Sequence, residues 1–519
     1  LRRQPSLIQD GEFDLLVVGG GVVGSCVAWD AAQRGLSVAL VERRDFASGT
    51  SSNSLKIVHG GLRYLQRLNV RMLRESIRER GVWLRIAPHL VEPLPVLVPD
   101  YGDRRESRHL LRSALLVNDL LSADRNDGAD EDRQLPGGSL LSAAECREWV
   151  PSLPPRGLRG GVLFYDAQMY SSERLVVEIL AAATDAGAVV LNYTEMVSSR
   201  PTATGIYVEL RDTLTGDLFE SRAKFLINAA GPWLPRTMPA AGGGGTALEY
   251  AAALNLVLAG RGDRAAVALS ARGADTNDSF RRLFMVPWRG QSMIGTAHYH
   301  VEGGAMPEMD PVPLVHRFLE EVNRALPFEP IGADEVLRSH FGLLPVRGGG
   351  GEASADLLRE PQIIEHSAPV IGLAGVKYTG ARALAERAVD RVLERLGRSA
   401  RACRTSSTRL PGAPRRSTTS LIAEASRRYG AEFDAEVLEH LVRVYGSGYE
   451  VVLRIAGERP VFAERVVPDA PVLRAQLEHG VRSEMAICAD DLLYRRTELG
   501  AVGSVSPDAV LAAESLFVR

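Results

Sequence analysis

Residues 14–42 read DLLVVGGGVVGSCVAWDAAQRGLSVALVE, and this stretch decides the fold. Phe13–Val18 is a short apolar run ending in glycines, Val22–Gln33 has helical periodicity, and Leu36–Val41 is a second apolar run. That order is β-α-β and opens an α/β domain of Rossmann type. Gly19-x-Gly21-x-x-Gly24 sits where the first strand meets the helix. The first glycine suits a tight turn, the second a close approach of backbone to a pyrophosphate, the third a close helix–strand packing. The helix N-terminus, at Val22 and Val23, offers free N–H groups and roughly half a positive charge to phosphate. Glu42 ends the second strand 18 residues after Gly24, where an acid holds ribose hydroxyls. A glycine turn in an ordinary α/β core is the alternative; strand, helix and acid in sequence favour a dinucleotide.

The residues that follow favour FAD over a nicotinamide. Arg43, Ser48, Gly49, Thr50, Ser51 and Ser52 supply a cation, hydroxyls and backbone N–H groups for a second face of the pyrophosphate. The loop runs on through Lys56, His59, Gly60, Gly61 and Leu62. Two later strand–glycine elements suit a cofactor that crosses the whole domain. One is Ile227–Trp233 (INAAGPW), with Ala230, Gly231 and Trp233; the other is Gly372–Thr379 (GLAGVKYT), with Gly375, Val376, Lys377, Tyr378 and Thr379. Each alone is also compatible with a structural turn. Lysine is rare here, at Lys56, Lys224 and Lys377 against 58 arginines. A lysine in such a chain marks a place for a compact ammonium rather than a planar fork.

The 519 residues, 45% hydrophobic and 24% charged, imply a soluble globular protein of two or three domains. A net charge of −3 gives no pull toward nucleic acid. Cys26, Cys146, Cys403 and Cys488 lack CxxC spacing, which argues for a reducing compartment and against a metal site. No apolar run is long enough to span a bilayer, and the N-terminus lacks a signal-peptide core, so a cytoplasmic protein is expected. The expected domains are a discontinuous FAD-binding one (12–98, 155–235, 335–398), a substrate domain (99–154, 236–334) and a C-terminal helical one (405–519). Leu254–Leu258, Ala265–Leu269, Leu283–Pro287 and Gln291–Gly295 read as an antiparallel sheet of the substrate domain.

TSSNSLKIVHGGLRYL (50–65), RIAPHLVEPL (85–94), NAAGPW (228–233), the Lys377 segment, RLPGA (409–413), RYG (428–430) and EMAICADDLLYRRTELG (484–500) carry a wider likeness. Together they resemble the aerobic, quinone-linked, FAD-dependent glycerol-3-phosphate dehydrogenases over nearly the whole chain. The resemblance implies the amino-acid-oxidase-like fold, an antiparallel-sheet substrate domain, and hydride transfer from the C2 alcohol of sn-glycerol 3-phosphate to flavin, giving dihydroxyacetone phosphate. It implies substrate contacts from Arg63, Tyr64, Lys377 and Arg359, and cofactor contacts that also include Met196 and Val197. It further implies quinone or oxygen as acceptor, a homodimer, and a peripheral place on the inner face of the cell membrane.

The substrate half departs from the family pattern. SGVRPL reads Phe341–Val346 (FGLLPV), so a phosphate-binding arginine is Leu344. RLxKGSH reads Asn255–Arg261 (NLVLAGR), GTTD reads Gly295–His298 (GTAH), and DDAR reads Ser171–Arg174 (SSER), losing both acids. A buried phosphate dianion needs several charge-assisted bonds, so Arg347 or Arg261 is a candidate replacement. Several residues carry more than one reading. His59 is a base, a flavin neighbour or a loop anchor; His298 and His340 are structural or basic; Lys56 binds loop carbonyls or substrate. The arginine-rich helix 63–85 reads as a solvated face, and 104–121 as an interfacial helix on anionic lipid or a domain contact. Two rival functions remain: related flavin chemistry on another alcohol or amine, and a non-catalytic FAD-holding protein.

Overall fold

The computed structural model describes residues 1–61, 69–102, 108–237, 248–271, 281–301, 310–325, 329–346, 358, 360–365, 369–375, 377–399, 401–497, 499–503 and 505–518. Leu62, Arg63, Tyr64, Arg104, Arg105, Arg347, Arg359 and Val376 lie outside the described residues.

The first sheet runs β16 (Gln362–Glu365), β17 (Val370–Ala374), β10 (Leu218–Asn228), β1 (Glu12–Val18), β2 (Val38–Val41), β7 (Val189–Leu191). All neighbours are parallel except β16 on β17. β8 (Thr194–Thr202) and β9 (Gly205–Asp212) extend β10 as an antiparallel flap. Leu15 and Val17 pack into one apolar cluster with helix α1 (Val22–Gln33) and the helices Ser172–Asp185 and Ala381–Arg395. Leu16 and Val18 pack into the other, with Ile206, Val208 and Leu210 of the flap. β1 is therefore buried on both faces, which is why it reads as a continuous apolar run rather than an alternating one.

The second sheet runs β15 (Val336–Val346), β11 (Glu249–Leu258), β14 (Gln291–Val301), β13 (Arg281–Trp288), β12 (Ala266–Ala271), β4 (Val91–Asp100), β6 (Gly160–Met169), β3 (Ile57–Val58), with β5 (Ser139–Leu141) also on β6. It is antiparallel apart from β12 on β4. The expected strands β11–β14 are present. The expected domain boundaries differ from this pairing, however: β3, β4, β6 and β15, assigned above to the FAD-binding part, are hydrogen-bonded into the second sheet. Both partners of the long β4–β6 ladder, from Val91↔Met169 to Asp100↔Gly160, belong to the second sheet.

The last hundred residues are helical, as expected. Thr418–Tyr429, Ala435–Tyr445, Tyr449–Glu458 and Arg474–Ser483 enclose a core that includes Leu438, Leu441, Tyr449, Val452 and Phe462. Tyr449–Glu458 and Pro507–Glu514 were not foreseen. The helix Val70–Ile86 corrects another expectation, because it is largely buried rather than a solvated face. Arg80 reaches Asp166 at 2.6 Å, and Glu79 accepts from Arg382 Nη2 and Nε at 2.6 and 2.7 Å. Among the described residues, no helix is long and apolar enough to cross a membrane, and all four cysteines are free.

Candidate active site

The glycine fingerprint forms the turn its spacing demands. Gly19 has φ +110°, and a Cβ there would lie 2.6 Å from the Ala229 carbonyl oxygen. A Cβ on Gly24 would lie 1.9 Å from the Gly19 carbonyl oxygen, so α1 packs onto β1 only without one. Gly21 is the N-cap of α1 and has no side chain to cap it. The Ser51 hydroxyl comes from the facing loop and accepts from Val22 N at 3.0 Å. Glu42 accepts from Gly20 N at 2.7 Å and from Arg44 N at 2.9 Å, locking the end of β2 onto the turn. Burial pushes its carboxyl above the usual range, and these two N–H donors partly offset that.

Arg43 is exposed and reaches Glu195 at 3.3 Å. Thr50 exchanges hydrogen bonds with Leu343 of β15, at 3.0 and 3.1 Å. Ser52 Oγ donates to the Gly49 carbonyl at 3.0 Å. The Lys56 ammonium anchors the loop to the helix Ser172–Asp185. The Nζ is fully buried, donating to the Ser52 carbonyl, to Ser172 Oγ and to both Glu173 oxygens, all within 2.9 Å. Glu173 thus supplies an acid in the SSER segment read above as having lost both. Gly60 N donates to Asp166 at 2.6 Å, and Gly61 has φ +79°. His59 is half-buried beside them. Sequence reasoning missed Asp166, Arg80 and Glu173; their partners lie more than 80 residues away and no local motif marks them.

The later glycine elements converge on the same turn. A Cβ on Gly375, just past β17, would lie 2.9 Å from Val23 Cγ2. Trp233 lies against Gly49, whose Cβ would meet the ring at 3.2 Å, and Gly231 has φ +56°. Ala230 N donates to Asn228 Oδ1 at 3.1 Å. Met196 is buried with Val18, Val41 and Leu191, while Val197 is exposed at a β-bulge. Lys377 is exposed between β17 and the helix Ala381–Arg395. Its neighbour Tyr378 donates to the Ser172 carbonyl at 2.7 Å, and burial raises that hydroxyl's pKa well above the usual value. Thr379 is 2% exposed; its carbonyl accepts from Trp83 Nε1 at 3.1 Å, and its hydroxyl has no protein partner. A helix N-terminus whose N-cap residue, Gly21, has no side chain, and the orphaned buried hydroxyl of Thr379, fit an extended dinucleotide with phosphate and carbonyl acceptors.

The segments that depart from the family pattern in β11, β14 and β15 share one face. Opposed residues of antiparallel strands share a face, and here Ala251 opposes His300 and Leu344, Ala253 opposes His298 and Gly342, and Asn255 opposes His340. The other face is core, with Tyr250, Ala252, Leu254 and Tyr299 packed near Phe318 and Leu319 of the helix Val312–Ala325. The Ala251–Asn255 face meets the cofactor loop, since Asn255 Nδ2 donates to the Asn53 carbonyl at 3.1 Å. A side chain at Gly342 would collide with Thr50 Cγ2 at 2.9 Å. His340 is structural rather than basic. It is 3% exposed, bonds the Ala501 carbonyl through Nε2 at 2.7 Å, and its pKa is pushed down to about 4, chiefly by burial. Arg261 does not replace the lost arginine. It pairs with Glu335 at 3.3 Å, ten positions beyond Ala251, about 30 Å along an extended chain.

A family model described as FAD dependent oxidoreductase matches residues 14–391, and one described as the C-terminal domain of alpha-glycerophosphate oxidase matches 403–513. The chain is 31% identical to a glycerol-3-phosphate dehydrogenase of Synechocystis, over 95% of this chain and 90% of that one. It is 33% identical to glycerol-3-phosphate dehydrogenase 1 of Mycobacterium tuberculosis, over 99% and 96%. Among solved structures, the glycerol-3-phosphate dehydrogenase of Bacillus halodurans complexed with FAD superposes with a TM-score of 0.71 at 28% identity, covering 95% of this chain and 87% of that one. With the family model spanning both sheets and the relatives aligned nearly end to end, the chain belongs to the FAD-dependent glycerol-3-phosphate dehydrogenase family.

Proposed function

We propose that this enzyme oxidises the C2 alcohol of sn-glycerol 3-phosphate to dihydroxyacetone phosphate. The carrying observation is the convergence of the Gly19–Gly24 turn, the Ser51 loop and the Gly375–Thr379 segment on one cradle, Lys377 being an exposed residue of that segment. Bound FAD supplies the two-electron acceptor. Val22 and Val23 at the start of α1 and the hydroxyl of Ser51 hold its pyrophosphate, with Gly19, Gly21 and Gly24 allowing the approach. Lys377 binds substrate oxygen or stabilises negative charge developing beside it. Arg63, Tyr64 and Arg359 complete the substrate contacts, and His59 is the imidazole of the loop. Turnover with a soluble dye acceptor, with dihydroxyacetone phosphate identified as product, tests the reading. A flavin-loaded chain that gives no product at millimolar glycerol 3-phosphate contradicts it.

Quinone or oxygen takes the electrons in this proposal, and the enzyme works as a homodimer at the inner face of the membrane. Support for the membrane contact comes from the helix Arg108–Leu121. Leu115 is buried while Leu116, Val117 and Leu120 stand 61%, 45% and 77% exposed, with Arg112 exposed on the same side. Such a stripe suits an anionic lipid surface.

A second reading has one observation in its favour. Leu344 stands beside Ala251 on the substrate face where the family pattern has arginine, which suits a less anionic alcohol or an amine. A substrate panel followed by dye reduction separates the two.

A further inference from the structure

The family signature near the C-terminus, ADDLLYRRT (489–497), has no part in the chemistry above, yet it reaches the cofactor cradle. We infer that Arg495 and Arg496 are positioning residues of the FAD site, acting through Asp45. The inference rests on the assignment of the Gly19–Gly24 turn to FAD.

Asp45 lies in the loop after β2 and is fully buried. It accepts from Arg496 Nη1 at 2.8 Å, Arg496 Nη2 at 2.9 Å, Arg495 Nε at 2.7 Å and Asn192 Nδ2 at 3.1 Å. Burial alone would raise its carboxyl; the guanidiniums of Arg496 and Arg495 outweigh burial and hold it below the usual range. Consecutive residues of a regular α-helix point about 100° apart, so two adjacent arginines do not ordinarily meet one carboxylate. Here Leu492–Arg496 is a widened turn closed by Thr497 N on the Leu492 carbonyl at 2.9 Å, and both side chains converge. The turn is itself fixed. Arg496 donates twice to the Glu484 carbonyl, at 2.7 and 3.1 Å, and Asp491 accepts from Arg495, Tyr193 Oη and Ile487 N.

On its other side, Asp45 governs the residues that embrace the fingerprint. Phe46 follows it, fully buried, with Cδ1 2.7 Å from where a Gly20 Cβ would sit. Ala47 holds φ +59° and its N–H donates to the Gly20 carbonyl at 3.0 Å. Glu42, three residues before Asp45, takes Gly20 N. The C-terminal arginines thus set the loop that closes over Gly20, between the first and second glycines of the fingerprint. A buried carboxylate with four donors holds one position, and removing a donor leaves charge uncompensated beside the cradle. The helical domain is, on this account, part of the cofactor site without touching cofactor.

The test titrates FAD into the apo form of the full chain and follows quenching of flavin fluorescence. Asp45→Asn, Arg495→Gln and Arg496→Gln are each expected to weaken FAD binding about tenfold or more, with turnover restored toward wild type by excess FAD. Arg465→Gln is the control. It breaks an exposed pair with Asp434 and Glu436 inside the helical domain and is expected to leave FAD affinity unchanged. Arg495 is 16% exposed, so its variant keeps the test open should Arg496→Gln not fold. Affinities within twofold of wild type in variants with native circular dichroism overturn the inference, as does an equal loss in Arg465→Gln. A wild-type chain that binds no FAD overturns the cofactor assignment instead, and this inference with it.

Discussion

At the scale of single residues, the glycines and Lys377 carry separable consequences. The 1.9 Å approach at Gly24 leaves no room for a methyl group, so Gly24→Ala is expected to yield chain purified without flavin, read by the ratio of flavin to protein absorbance. Lys377→Ala is expected to keep its flavin and lose ~10²-fold in kcat/KM, the scale of removing one preorganised charge donor; steady-state kinetics at saturating dye checks it. The glycine turn was legible in the sequence because its chemistry is local: a turn at a strand end. Lys56 looked equally distinctive, and its role was illegible because Glu173, its partner, lies 117 positions away. Spacing reports neighbours along the chain and is silent about a buried ion pair between distant segments.

At the scale of elements, that pair ties the cofactor loop to the helix Ser172–Asp185 with side chains 0% and 1% exposed. Glu173→Gln leaves a buried ammonium without its counter-charge and is expected to lower unfolding stability by about 3–5 kcal/mol, measured by denaturant titration of the holoenzyme. His340 gives a pH dependence. Folding lowers its pKa from the ordinary 6.5 to about 4, so the unfolded chain binds the proton more readily. The stability it contributes is present above pH 6.5 and is lost as pH falls toward 4. His340→Gln is expected to flatten the wild-type fall in stability across that window, and an unchanged slope contradicts the assignment. Element identity was easiest to read where an apolar run was bounded by glycine, as in β1 ahead of Gly19. β4 resisted because Pro93, Pro95 and Pro99 lack the N–H a central strand would use. It pairs with β6 along its whole length and with β12 only at Val96 and Leu97.

At the scale of the molecule, the chain passes repeatedly between the two sheets, and the candidate site lies where the loop 49–53 meets β11 and β15. Composition and motif order were enough for the fold class and the cofactor. The partition between sheets was not readable, since it depends on which strands pair, and β4, β6 and β15 are apolar enough to serve either. The exposed stripe on Arg108–Leu121 leads to a prediction at this scale: Leu116→Ser with Leu120→Ser is expected to reduce co-sedimentation with vesicles containing anionic lipid while leaving dye-coupled turnover unchanged. The central claim, that this cradle brings glycerol 3-phosphate to FAD, is tested most directly by one anaerobic mixing experiment on the purified holoenzyme. Addition of glycerol 3-phosphate is predicted to bleach the flavin absorbance with one dihydroxyacetone phosphate formed per flavin. An absorbance spectrum unchanged at millimolar substrate, in protein that dithionite still reduces, would contradict it.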